Sequence, residues 1–215
     1  MTKKLFWENP YQVQFDAIVT KIIGNSVVLD ATCFYPRGGG QVGDTGYLNG
    51  VRVVDTQAGE ETDIVHILEI KPCFSVGILV HGEIDWIKRY RIMRLHSAAH
   101  IVYYLMKEVF GDDCTPASSG LLDEKKERSD YLFGEKLDKE KLNVVEEKAN
   151  QIIRQGYEIK TWSENGERYW KMELFPTMKC GGTHVKNASE IGGIKVKRGK
   201  KPGKGRERIE ISLLS

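Results

Sequence analysis

The chain has 215 residues, 40% hydrophobic and 29% charged, with a formal net charge of +2. That is an ordinary globular composition, long enough for one large core or two modest ones. No apolar run approaches the ~18 residues of a membrane span, and the first ten residues lack the apolar stretch of a secretory leader, so a cytosolic protein with no membrane partner is expected.

The first ~85 residues read as β-structure. Residues 13–20 alternate apolar and polar, 26–35 are rich in strand formers, and Tyr47-Leu-Asn-Gly-Val-Arg places an Asn-Gly pair between apolar pieces, the signature of a tight hairpin. Residues 63–70 and 77–84 supply two more strands, and several short strands joined by glycine turns predict a small barrel. Within this region Thr32-Cys-Phe-Tyr-Pro-Arg-Gly-Gly-Gly-Gln-Val-Gly-Asp-Thr-Gly46 forms a glycine-rich loop. It is neither a dinucleotide fingerprint nor a Walker loop. Either it is a plain turn, or Gly39 and Gly40 let the backbone approach a ligand while the Gln41 amide positions water or a ribose.

Composition then shifts. Residues 86–110 predict a helix with an apolar stripe at Ile92, Leu95, Ala99, Val102, Met106 and Val109, stopped by Gly111. Residues 114–119 read as a loop and 129–133 as a strand. A second helix is predicted over 139–155, capped by Asp138, ended by Gly156 and buried through Leu142, Val145, Ala149 and Ile152. Residues 193–197 and 208–213 predict paired strands. The segment 195–208 carries eight Lys/Arg against one acid, Glu207. Such a hairpin is either a solvated loop or a polyanion contact, through Lys197, Arg198, Lys200, Lys201, Lys204 and Arg206. The fold class is therefore α+β: a small N-terminal β-barrel, residues 1–86, followed by an α+β domain, residues 87–215.

Four cysteines, Cys33, Cys73, Cys114 and Cys180, are scattered without a C-x-x-C pair, so in a reducing compartment they are thiols or metal ligands rather than a disulfide framework. Three of the five histidines fall into two motifs. His96-Ser-Ala-Ala-His100 puts two imidazoles on one helical face, and Cys180-Gly-Gly-Thr-His184 repeats the spacing on a glycine-rich turn. Imidazole with thiolate suits Zn2+, one per chain, and four ligands would close the site whereas three would leave it open. No H-E-x-x-H glutamate is present, which disfavours metalloprotease chemistry. His66 and His81 lie in predicted strands and need no role beyond packing or exposure.

These motifs together resemble a known family. His96-x-x-x-His100, Cys180-Gly-Gly-Thr-His184-Val and Glu190-Ile-Gly-Gly-Ile-Lys are similar to the editing domain of alanyl-tRNA synthetases and their free-standing AlaX relatives. Phe34-Tyr-Pro-x-Gly-Gly-Gly-Gln41 and Gly43-Asp-Thr-Gly46 match the same family's N-terminal domain, which points to the medium-length form; Arg37 departs from the acid common at its position. The resemblance implies zinc held by His96, His100, Cys180 and His184. It implies hydrolysis, in trans, of tRNA(Ala) mischarged with serine or glycine, with Gly39, Gly40 and Gln41 positioning the substrate. It also places a hydroxyl that senses the substrate side chain near Thr115, Ser118 and Ser119. The alternatives are a non-catalytic tRNA-binding module with structural zinc, or editing of Ser-tRNA(Thr). Oligomeric state is not legible.

Overall fold

A computed structural model describes residues 1–134 and 137–214, and the side chains at 113, 118 and 119 lie outside the described set. The chain divides into two compact units, Met1–Tyr90 and Arg91–Ser215. The boundary falls inside the long helix that follows the barrel.

Six antiparallel strands close the barrel of the first unit: β1 (Gln14–Ile23), β2 (Ser26–Leu29), β3 (Gly46–Leu48), β4 (Val51–Ala58), β5 (Ile64–Leu68) and β6 (Leu79–Ile84), in the order β1-β2-β5-β4-β3-β6. Alternation decides what fills it. Phe15, Ala17 and Val19 of β1 point inward with Val27, Leu29, Leu48, Val53, Leu68 and Val80, while the intervening residues face out. Asn49 and Gly50, with φ of 45° and 77°, form the turn between β3 and β4. Two successive positive-φ residues match the right-handed twist of the strands they join, which is why Asn-Gly occupies that position. The strand-forming run at 26–35 is shorter than its composition suggests: β2 ends at Leu29, and Ala31–Thr32 pairs in parallel with Lys3–Lys4 instead.

The helix α1 (Trp86–Phe110) follows. Asp85 caps it, its Oδ1 accepting the Lys88 amide at 3.0 Å, and Gly111 at φ 71° ends it. Burial is wider than the predicted stripe. Met93, Ser97, Ala98, Ile101 and Leu105 are buried along with Ile92 and Leu95, so the helix is enclosed around much of its circumference.

The second unit continues with β7 (Cys114–Leu122), β8 (Glu127–Phe133), α2 (Lys139–Gln155), β9 (Ile159–Glu164), β10 (Glu167–Met172), β11 (Met178–Lys179), β12 (Ile194–Arg198) and β13 (Arg206–Leu213). Two antiparallel sheets result, ordered β12-β13-β8-β7 and β9-β10-β11. The segment 114–119 is thus a strand, not a loop. Pro116 and the serines favour a loop by residue type, but β7 is an edge strand, where a missing N–H does not interrupt a ladder. At Gly120 a Cβ would lie 1.3 Å from the Arg128 carbonyl oxygen, so only glycine allows the irregular pairing there. The helix α2 keeps its predicted cap: Asp138 accepts from the Glu140 and Lys141 amides, and Gly156 is left-handed at φ 69°. Its inner stripe ends on Ile153 rather than Ile152.

A candidate metal centre and a buried ion pair

One turn of α1 separates His96 from His100, and their ring centroids are 5.0 Å apart. The second half of the site is the turn between β11 and the short helix at Ala188–Ile191. The Cys180 amide donates to the Arg168 carbonyl at 2.9 Å, fixing where the turn begins. Beyond His184 a capping box fixes its end: Asn187 caps Ala188–Ile191 and Glu190 returns to the Asn187 amide at 3.0 Å. Arg94 donates to the Ile191 carbonyl at 2.9 Å, and Gly192 follows at φ 71° with Arg94 where a Cβ would stand. Glu190-Ile-Gly-Gly is therefore a cap and a close approach.

Held this way, ligand atoms of His96, His100, Cys180 and His184 all lie within 4.8 Å of one another. Cys180 Sγ is 3.6 Å from His96 Nε2 and 3.2 Å from His184 Nε2. His100 and His184 are buried, His96 and Cys180 half-buried. Burial dominates their protonation. It pushes His96 down to about 4, His100 and His184 well below the ordinary imidazole value, and the Cys180 thiol up to about 11. Alone, the four would be neutral, three imidazoles and one thiol with their ligand atoms close together. A cation fits this set. Neutral imidazole is the metal-binding form, and the ion's charge is what a Cys180 thiolate would need. The Nδ1 of His100 is buried with no hydrogen-bond partner among the described residues, an orphaned polar atom of the kind that a bound ion would explain.

Sequence reasoning missed what encloses this cluster. Trp170, fully buried on β10, packs edge-on against His100 at 4.8 Å between ring centroids. Ser97, also fully buried, lies 3.1 Å from His184 Nδ1. Nothing in a one-residue step after His96, or in an alternating strand, marks these positions beforehand.

Residues 4–88 match the family model described as tRNA synthetases class II (A), and residues 166–210 that described as the threonyl and alanyl tRNA synthetase second additional domain. The alanyl-tRNA editing protein AlaX-M of Pyrococcus horikoshii is 37% identical over 99% of this chain and 98% of its own length. The chain belongs to the AlaX family of alanyl-tRNA editing proteins. It is also 33% and 35% identical to the alanine–tRNA ligases of Metallosphaera sedula and Ignicoccus hospitalis, of whose length it spans 26%.

In this AlaX chain the glycine-rich loop belongs to the first unit. Gly39 and Gly40, at φ 57° and 87°, form a turn closed by Gly38 and Gln41, whose amides and carbonyls bond reciprocally at 3.1 and 3.0 Å. The Gln41 side chain is buried, only 1% exposed. Arg37 stands outside and pairs with Asp55 at 3.3 Å. Beyond the turn Gly43 passes so close to β4 that a Cβ would lie 2.2 Å from the Thr56 oxygen. Asp44 is then fully buried against Arg89, at the start of α1. Arg89 also donates to the carbonyls of Pro10 and Cys33, at 3.2 and 2.7 Å, and Asp44 accepts the Tyr35 amide at 2.6 Å. Both charges are satisfied on every side, which gives Gly43-Asp-Thr-Gly46 an architectural role the motif alone did not reveal.

The remaining expected residues are dispersed. Thr115 is exposed on β7, and the side chains of Ser118 and Ser119 lie outside the described residues. The basic hairpin is the turn between β12 and β13, as the sequence predicted. Arg198 and Lys201 pair with Glu207, and Lys197 with Glu210. Among the described residues no ion pair engages Lys200, Lys204 or Arg206. No described helix is long and apolar enough to cross a membrane.

Proposed function

We propose that this chain is a cytoplasmic aminoacyl-tRNA hydrolase that acts in trans on tRNA(Ala), releasing serine foremost and glycine second. The observation that carries the reading is coextension: similarity runs through 98% of an alanyl-tRNA editing protein, and a four-donor cluster sits in the matched part. The need for such an enzyme is physical. An apolar pocket built for alanine cannot strongly reject a side chain that merely adds a hydroxyl, so a second site must remove the error. That second site gains selectivity in the opposite sense, since a pocket that hydrogen-bonds serine leaves polar groups unpaired around alanine.

The donor set of His96, His100, Cys180 and His184 suits one Zn2+. Bound zinc supplies Lewis acidity or an activated water where a coordination position stays open, and a purely structural tie where four protein donors fill its tetrahedral shell. The chain's own contributions are then separable. Trp170 packs against His100 and covers that side of the cluster; Gly39, Gly40 and Gln41 position substrate; Thr115, Ser118 and Ser119 are the candidate hydroxyls for side-chain recognition. Lys197, Arg198, Lys200, Lys201, Lys204 and Arg206 are the candidate contacts to tRNA phosphates, with Lys197, Arg198 and Lys201 already paired to carboxylates.

The test gives zinc-loaded and chelator-treated protein seryl-, glycyl- and alanyl-tRNA(Ala), with seryl-tRNA(Thr) alongside. Serine released from tRNA(Ala) at least about tenfold faster than alanine is the expected result. Equal rates overturn the proposal, preference for seryl-tRNA(Thr) moves it to the threonine system, and binding without turnover reduces the chain to a tRNA-binding module.

A further inference from the structure

Ser97 stands between the two histidines of α1 yet reaches a different segment. It is fully buried, its Oγ lies 3.1 Å from His184 Nδ1, and the Val185 amide donates to the same oxygen at 3.2 Å. The next two residues of the helix are alanines, and a buried serine there exchanges a good helix former for one that competes with the backbone. The hydroxyl therefore calls for an explanation at that place.

The explanation lies in which ring nitrogen of His184 holds the proton. A neutral imidazole has one N–H and one lone pair. Nε2 of His184 faces the cluster, 3.2 Å from Cys180 Sγ, while Nδ1 faces Ser97. If the serine donated to Nδ1, the ring proton would sit on Nε2, and the nitrogen aimed at the other donors would have nothing to give an ion. If Nδ1–H donates to the serine, Nε2 keeps its lone pair. A serine oxygen has two acceptor positions, and the Val185 and His184 N–H groups would fill both.

We infer that Ser97 is a positioning residue for the metal: its oxygen accepts the Nδ1–H of His184, which fixes that ring's tautomer and turns the Nε2 lone pair onto the cluster. Because Val185 is tied to the same atom, one hydroxyl orients the ligand and anchors the backbone immediately after it. Partners of this kind, which hold the far nitrogen of a ligating histidine, typically account for 10- to 100-fold in metal affinity. The inference rests on reading the four donors as a zinc site, and its test separates the two.

Zinc affinity is measured by competition with a chromogenic chelator for the parent chain, Ser97→Ala and Ser97→Thr, with thermal unfolding of each metal-free form recorded alongside. Ser97→Ala weakens zinc binding about 10- to 100-fold, and Ser97→Thr, which keeps the oxygen, recovers most of it. Long-range proton–nitrogen spectra of the zinc-loaded, histidine-labelled parent chain show His184 protonated at Nδ1 and not at Nε2. Zinc affinity within about twofold of the parent in Ser97→Ala, or a proton on Nε2, overturns the inference. Should Ser97→Ala not fold, the parent spectrum alone decides. A parent chain that binds no zinc defeats the metal-site reading itself, a result distinct from either.

Discussion

A buried polar cluster in each unit invites comparison, because the two are built on opposite principles. Around Asp44 and Arg89 every charge meets its complement: carboxylate against guanidinium, and the spare N–H groups on the carbonyls of Pro10 and Cys33. Around His96, His100, Cys180 and His184 no opposite charge is present, and four potential ligand atoms crowd within 4.8 Å of one another. A closed set needs nothing more and serves the architecture. A set of crowded donors is incomplete by itself, and that incompleteness points to a bound cation more directly than any one residue does.

The contrast breaks most visibly at the ligands. His100→Ala or Cys180→Ala should abolish zinc retention, measured as metal per chain after dialysis, and lower deacylation of seryl-tRNA(Ala) more than about 100-fold, beyond the effect of losing a supporting partner. Asp44→Ala leaves the purified zinc content unchanged but strands a buried guanidinium. Urea unfolding should show a loss of about 3–5 kcal/mol, much of it restored when Arg89→Met is added, because removing both charges removes the desolvation problem.

Proton uptake sharpens the comparison with signs that differ between the units. His66 in the barrel, buried and bonded to Thr32 and the Val27 carbonyl, is pushed down to about 4 by that burial. Above pH 6.5 it is neutral folded or unfolded. Between pH 6.5 and about 4 only the unfolded chain takes up the proton, so stability falls by about 1.4 kcal/mol per pH unit, and His66→Gln should flatten that slope. Glu127, buried on β8 beside Ser129, is raised to about 7, chiefly by burial. Its contribution is complete below pH 4.5 and lost as pH rises to 7, so Glu127→Gln should gain on the parent chain by about 3 kcal/mol between pH 4.5 and 8. The smallest effect belongs to the cap: Asp138→Ala should cost about 1 kcal/mol, read from the urea midpoint at constant slope.

What the sequence discloses follows from how far each signal reaches. The Asn49-Gly50 turn, the Asp138 cap and the Gly111 and Gly156 stops are local demands of backbone geometry, so residue type alone announces them. The two four-residue His/Cys spacings are likewise local, and only their convergence needed the fold. Asp44 and Arg89 are 45 residues apart, and neither neighbourhood hints at the other. Ser97 reads as filler between two histidines until His184 is brought 3.1 Å away. The strand Cys114–Leu122 carries loop residues because its extended form comes from pairing with Glu127–Phe133, not from propensity.

The hairpin between β12 and β13 has one more consequence. Of its eight basic side chains from Lys195 to Arg208, Lys195, Lys197, Arg198, Lys201 and Arg208 are already paired with carboxylates of the same unit. Positive charge that is neutralised from within carries little condensed anion to shed when a polyanion arrives. Association through this hairpin should therefore show a shallow dependence on ionic strength, with log K falling against log salt at a slope of roughly −2 to −3, set by Lys200, Lys204 and Arg206. An encounter of that kind is weakly held and readily reversed.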